Sequence, residues 1–423
     1  MRKNRLWYQF FRMTLVKNGL RFFYKKIIVN GKEKLPKNKP LLLVPNHQNS
    51  FMDAFLVATN AKPITYFLTR AQAFKNPLQA KFIRSINLLP VYRVRDGLSS
   101  VSKNNETFEE CIKYLKRKDA ILVFPEANHN LKRRIRPLSK GFTRIAFDAE
   151  LQENWEMDLY VIPAGVNYSE HQRSRNIVQV EFGDPIHMKD FKNLYEKDER
   201  EATNLLKERV SEQMKKLTMH VTSLDHYALC NILIDDLEDD VLKLINPKIA
   251  NENIAKIEAK LTPEIVEIAD SVSRFAEKHN FKIKTFLGRK SPRTAMILLF
   301  PLYLFSWLNN LIPYQPIRKI TTKTIKDHAF DASIKFLLGL LLFPSFWVII
   351  VALLFLIGVP TVYVLGYFIL SVLTVVLFKD ANLIVREAKE KKKIKFIQNT
   401  FPEEFAEFKN GLKKLNEFRA EVL

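Results

Sequence analysis

His47 and Asp53 stand six positions apart in Pro45-Asn46-His47-Gln48-Asn49-Ser50-Phe51-Met52-Asp53, directly after the apolar run Leu41-Leu42-Leu43-Val44. Imidazole titrates near neutral pH, and a carboxylate beside it can fix its tautomer. Such a pair is suited to taking a proton from an alcohol. On one continuous helix six residues turn the chain through about 600°, which does not put both side chains on one face. The chain must therefore bend between them, as a strand-to-helix loop does. A plainer reading accounts for Asp53 alone. Ser50 can cap a helix starting at Phe51, and Ser50-Phe51-Met52-Asp53 approximates a capping box, although that box prefers Glu or Gln at its last position. The two readings are compatible, since a carboxylate in a first turn can cap and still face His47.

Three later segments carry further polar groups. Arg93 ends Leu88-Leu89-Pro90-Val91-Tyr92, and its planar fork suits a phosphate, or else a surface carboxylate. Pro125 ends Ile121-Leu122-Val123-Phe124 and places Glu126 at the strand tip, where a solvated turn residue is the plain alternative. Lys132, Arg133, Arg134, Arg136 and Lys140 then form a basic cluster before an expected helix. It suits phosphates, a phosphopantetheine-bearing donor or anionic headgroups. In Val161-Ile162-Pro163-Ala164-Gly165, Pro163 and Gly165 break a strand, which suggests backbone close to a ligand. Cys111 and Cys230 fit no metal-ligand spacing, so no metal is expected, and two thiols so far apart imply no disulfide framework. No serine or cysteine nucleophile elbow is evident.

These groups need a scaffold. Apolar runs at 41–44, 64–68, 88–92, 120–124, 158–164 and 177–182 read as strands. Helical stretches at 52–58, 77–85, 104–118 and 142–151 separate them. That rhythm predicts an α/β fold, a mostly parallel sheet flanked by helices, over residues 36–198. Sites in such sheets lie beyond the carboxyl ends of strands. His47, Arg93 and Glu126 all fall there.

The remaining chain divides by composition. Its 423 residues carry a formal charge of +22 and include 32 phenylalanines. A basic chain favours nucleic acid, anionic membrane or anionic substrates, and the apolar runs tilt that choice toward membrane. Residues 1–35 read as an amphipathic interfacial helix, its aromatics in the acyl boundary and its bases, Arg12 and Lys17 among them, near headgroups, with an ordinary helix packed on the domain as the plainer alternative. Residues 199–290 read as a charged helical accessory region, with Thr262-Pro263-Glu264 as a helix start. Within a membrane-associated region, 291–380, no residue from 336 to 378 is charged, about twice the ~20 residues needed for one crossing. Gly358-Val359-Pro360 breaks the run, predicting a hairpin of membrane helices over 337–378, spanning or re-entrant. Bases flank both ends, which places both on the cytoplasmic side, at the inner membrane if the source is bacterial. Residues 295–312 form a weaker third candidate, assigned to the interface. A charged helical tail, 381–423, follows.

Taken together, four segments resemble, in order, the four blocks of the glycerolipid acyltransferases, the family acylating glycerol 3-phosphate and lysophosphatidic acid. Asn46-His47 through Asp53 resembles the His/Asp block and Val91-Tyr92-Arg93 the arginine block. Phe124-Pro125-Glu126-Ala127 resembles the Phe-Pro-Glu-Gly block and Val161-Ile162-Pro163 the proline block. The match covers about residues 36–190. Five residues separate His47 from Asp53 where four are commonest, a longer loop resembling the branch that acylates glycerol 3-phosphate. Ala127 replaces the usual glycine, and alanine is strained there if the position needs positive φ.

The resemblance implies direct acyl transfer, with His47 as general base and Asp53 orienting it. Arg93 would hold the acceptor phosphate, Glu126 would contact glycerol hydroxyls or order Arg93, and Pro125, Pro163 and Lys140 would border the substrate. It implies no cofactor beyond an acyl-coenzyme A or acyl carrier protein donor, a glycerol phosphate or lysophospholipid acceptor, and anionic lipids as surroundings. A lyso-aminolipid acceptor and a non-catalytic basic membrane scaffold are the alternatives. Nucleic acid is not an expected partner, because it would leave the hairpin and the His/Asp block unexplained.

Overall fold

Each apolar run in the first half of the chain becomes a strand in the computed structural model, which describes residues 2–92, 104–288 and 299–423. The chain divides into two compact units, Met1–His220 and Val221–Leu423.

The first unit opens with α1 (Arg2–Phe10), a π-helical stretch (Phe11–Val16) and α2 (Lys17–Phe23). There follow β1 (Lys26–Asn30), β2 (Leu41–Pro45), α3 (Phe51–Asn60), β3 (Thr65–Arg70), α4 (Pro77–Ser85) and β4 (Leu88–Val91). Next come α5 (Asn104–Leu115), β5 (Ala120–Leu122), α6 (Gly141–Gln152), β6 (Tyr160–Tyr168), β7 (Ile177–Phe182), β8 (Ile186–His187), α7 (Lys192–Lys197) and α8 (Glu199–Leu217). The sheet runs β1-β7-β6-β2-β5-β3-β4, with β8 beside β6. β2 is parallel to both β5 and β6, whereas β7 and β8 pair antiparallel with β6, and β1, parallel to β7, shares their direction. β2 and β5 are wholly buried, as strands covered on both faces must be.

Three expectations change here. Residues 26–30, grouped with the interfacial helix, instead form β1 and pair in parallel with β7, because Ile27-Ile28-Val29 is a short β-branched run. Arg12 does not face headgroups. It is buried, and it donates to the carbonyls of Pro63 at 2.6 Å and Ala61 at 3.1 Å, a cation at the C-terminal end of α3. The α/β core also runs past residue 198, since Ala202, Leu206, Val210 and Met214 of α8 pack into it. The N-terminal helix has two apolar sides: Tyr8, Val16, Leu20 and Phe23 dock inward, while Leu6, Trp7, Phe10 and Met13 stay exposed.

The second unit is helical: α9 (Tyr227–Asn231), α10 (Val241–Ile245), α11 (Pro247–Ala259), α12 (Pro263–Lys278), α13 (Ile283–Leu287), α14 (Phe300–Lys323), α15 (Asp331–Leu356), α16 (Thr361–Thr400) and α17 (Pro402–Val422). Thr262 caps α12 as its sequence predicts, accepting from Ile265 N. Two helical segments, 328–356 and 361–400, are long and apolar enough to cross a membrane, and little of either apolar window is buried. Gly358, at φ 78°, and Pro360 make the turn between them.

Candidate active site

β2 delivers His47 to the sheet rim. Asn46 continues the strand with its side chain, since Asn46 Nδ2 donates to Val166 O at 3.2 Å and Val166 N–H donates to Asn46 Oδ1 at 2.7 Å. The chain then folds back through Ser50, which adopts φ 45°, a region strained for any side chain. Ser50 makes no side-chain cap, so the capping-box reading fails. The reversal instead wraps around Asp53.

Asp53 is completely buried and holds four contacts. Its Oδ2 lies 3.0 Å from His47 Nδ1 and accepts the Gln48 and Asn49 backbone N–H groups at 2.9 and 2.7 Å. Its Oδ1 accepts the Tyr168 hydroxyl at 2.6 Å. Burial pushes the Tyr168 hydroxyl well above its ordinary range, so it stays a donor. With the carboxylate at Nδ1, the proton sits on that nitrogen, and Nε2 carries the lone pair a base needs. The His47 ring stacks on Phe124 at 3.6 Å between centroids, and His129 meets it edge-on at 5.5 Å. Burial lowers the imidazole pKa below its usual value, while Asp53 pulls it back up. The base is therefore neutral at neutral pH.

Glu126 comes to the same place from beyond β5. Its Oε1 accepts His47 N–H at 3.0 Å, and its Oε2 accepts Arg136 Nε at 2.7 Å. Burial raises the Glu126 pKa and Arg136 lowers it. Ala127 sits at φ 63°, the left-handed conformation that glycine would take without strain. Pro125 is buried, and its carbonyl accepts Ser139 N–H at 2.8 Å. Lys140, the next residue, is exposed at the start of α6. Pro163 lies inside the sheet, buried and paired with Val44. The close approach expected at Gly165 is to protein, because a Cβ there would run into the Leu217 carbonyl. Arg93 lies outside the described residues. Tyr92 before it is clamped by Asn104, whose side chain bonds both the N–H and the carbonyl of Tyr92.

Tyr168, His171 and the Glu126–Arg136 pair were not singled out from sequence. His171 Nε2 lies 3.0 Å from Gln48 Oε1, and the His171 carbonyl accepts Asn49 Nδ2 at 2.7 Å, so the loop after β6 pins the loop after β2. The one signal for Tyr168 is its place five residues after Pro163, at the end of the strand that carries the proline block. Among the described residues, one trio could hold a metal ion: His226, Cys230 and Glu258, in the second unit. There Glu258 Oε1 already accepts Thr222 Oγ1 and lies 2.7 Å from His226 Nε2, an arrangement that fastens a turn.

A neutral imidazole fixed by a buried carboxylate at the rim of a mostly parallel sheet is a base placed to take a proton from a hydroxyl. Residues 26–167 match the family model described as Acyltransferase, and that span holds His47, Asp53 and Glu126. Glycerol-3-phosphate O-acyltransferase 2 of Saccharomyces cerevisiae is 24% identical over 123 residues, which is 29% of this chain and only 16% of that protein. The crystal structure of the 1-acyl-sn-glycerophosphate (LPA) acyltransferase PlsC from Thermotoga maritima superposes with a TM-score of 0.39 at 19% identity, covering 51% of this chain and 80% of that one. Residues 26–167 are thus similar to an acyltransferase domain, and the chain spans about a sixth of the length of the curated relative it matches.

Proposed function

We propose that this protein moves a fatty acyl group from an acyl thioester, on coenzyme A or acyl carrier protein, to a hydroxyl of glycerol 3-phosphate or 1-acyl-glycerol 3-phosphate at a membrane. The observation that carries this reading is the His47–Asp53 pair, with Nδ1 3.0 Å from Oδ2 and the carboxylate held by three further donors. His47 Nε2 takes the acceptor hydroxyl proton as the oxygen attacks the thioester carbonyl. The tetrahedral adduct collapses, the C–S bond breaks, and the thiolate recovers the proton from the imidazolium. Asp53 stabilises that imidazolium and holds its ring. Base catalysis of this kind contributes about 10²–10⁴-fold.

Arg93 takes the acceptor phosphate, as a guanidinium fork does. Glu126 acts through its bonds to the His47 backbone and to Arg136. The loop Gln48–Met52, pinned by His171, bears on which acceptor fits. Membrane association is supported by the two long apolar helices and by the exposed aromatic side of α1. Bases at both ends of the hairpin favour the cytoplasmic face.

The test offers purified full-length protein acyl-coenzyme A or acyl carrier protein with glycerol 3-phosphate and its 1-acyl form separately, and follows thiol release. Release that depends on one of these acceptors supports the reading. Thioester hydrolysis independent of either acceptor would refute it.

A further inference from the structure

Helix α14 holds most of the weaker third membrane candidate, 295–312, which Pro301, Asn309 and Asn310 interrupt, and Ser306 is a further polar residue within it. In the structure most of those interruptions turn inward. α14 packs along both α15 and α16. Ser306 Oγ donates to the Thr374 carbonyl. Asn309 Nδ2 donates to Ser371 Oγ at 3.0 Å, and the Tyr367 hydroxyl donates back to Asn309 Oδ1 at 2.8 Å. Trp347 Nε1 donates to Asn310 Oδ1 at 3.1 Å. Ser306 and Asn310 are completely buried.

The outward side is apolar instead: Phe300, Leu304, Trp307, Leu308 and Ile312 are all exposed. A helix lying at a membrane surface shows the opposite arrangement, with its polar side out. A helix in hydrocarbon gives its polar side chains to neighbouring helices, since no water is there to take them. No charge occurs between Leu299 and Ile317, and Arg318 and Lys319 follow at once. The partners of 306–310, at Trp347 and at Tyr367 to Thr374, lie well inside the charge-free stretch 336–378. The side chains of 306–310 thus stand level with the middle of the apolar zone rather than with its edge. The charge-free part of α14, 300–317, is about 27 Å long, close to the ~30 Å of a hydrocarbon core and within the range of lengths that span one.

We propose that α14 is a third bilayer-embedded helix, its Leu304–Leu308–Ile312 side covered by lipid acyl chains and its Asn309/Asn310 side bonded to α15 and α16. Ile349 and Leu353 of α15 and Leu365 of α16, the two helices it packs along, are exposed apolar residues as well, and hydrocarbon is the occupant that suits all three helices. The inference rests on the membrane reading of the hairpin.

The test uses the full chain in vesicles of phosphatidylcholine and phosphatidylglycerol. Leu308→Cys, Ile312→Cys, Ile349→Cys on α15 and Lys413→Cys on α17 each carry a fluorophore, with native Cys111 and Cys230 buried. Quenching is read with lipids spin-labelled near the headgroup or deep in the chain, and with aqueous iodide. The proposal expects deep-labelled lipid to quench position 308 about twofold or more better than shallow-labelled lipid, iodide to be as ineffective there as at 349, and 312 to read shallower. Stronger shallow quenching at 308, or iodide access equal to that at 413, with 349 still deep, overturns the proposal alone. Shielding of 308 from lipid and iodide alike places protein there and also overturns it. Iodide access at 349 as well removes the membrane reading and the proposal together.

Discussion

The Tyr168 hydroxyl donates to Asp53 Oδ1 at 2.6 Å, tying the end of β6 to the first turn of α3 across 115 positions of sequence. Asp53 can hold one orientation under His47 because this contact fixes the oxygen that the His47 loop leaves unused. Tyr168→Phe should therefore act on the imidazole. The unsatisfied oxygen costs about 1–3 kcal/mol of stability, and kcat falls by about 5–50-fold. A carboxylate with one donor fewer also attracts the imidazolium more strongly, so the acid limb of the rate profile moves to higher pH. A stability loss with an unmoved acid limb would mean that Tyr168 only packs.

The pH profile of the wild-type protein follows from the burial of His47. Its folded pKa is lowered below 6.5, so the base is already neutral above that value. kcat/KM should stay flat through neutral pH and fall only as pH drops below about 6.5. The folded state also binds fewer protons at this site than the unfolded one, so the contribution of His47 to stability is lost over the same descent. An acid limb centred above pH 7 would contradict this placement of the base.

Arg136→Ala leaves Glu126 buried without its ion-pair partner. Burial already raises the Glu126 pKa, so keeping it ionised costs stability as pH rises, and Arg136 offsets that cost. The variant should lose about 2–4 kcal/mol. Urea unfolding at pH 5 and pH 8 should show the larger deficit at pH 8. Equal deficits would assign Arg136 a packing role.

Ala127→Gly relieves a left-handed alanine. The steric gain of about 1–2 kcal/mol exceeds the entropy that glycine adds to the unfolded chain, leaving up to about 1 kcal/mol of stabilisation. Thermal unfolding should shift up by a few degrees. A downward shift would mean that the alanine methyl makes contacts that outweigh the strain.

Much of this architecture is legible in the sequence. The apolar runs placed six strands to within a few residues, and the 77–85 helix matched to the residue. His47 and Asp53 were legible because a bend between them was the one geometry that could bring them together, and the suspected cost of Ala127 was met at φ 63°. What stayed hidden came from topology. β6 is parallel to β2, with Ala164 beside Pro45, and this alone brings Tyr168 and His171 to the His47 loop. Gly165 was misread for the same reason, since the backbone it admits is the end of α8. β1 was hidden behind the aromatic helix that precedes it, and Arg12 looked like a surface base because its carbonyl partners lie some 50 positions on.

The central claim is that His47 is the base for acyl transfer, and His47→Ala tests it most directly. Thiol release is measured with the preferred acceptor at pH 7.5, beside thermal unfolding and vesicle binding of the same preparation. The account predicts a fall of about 10²–10⁴-fold in kcat with the fold and vesicle binding retained. Transfer at the wild-type rate by the folded variant would contradict it.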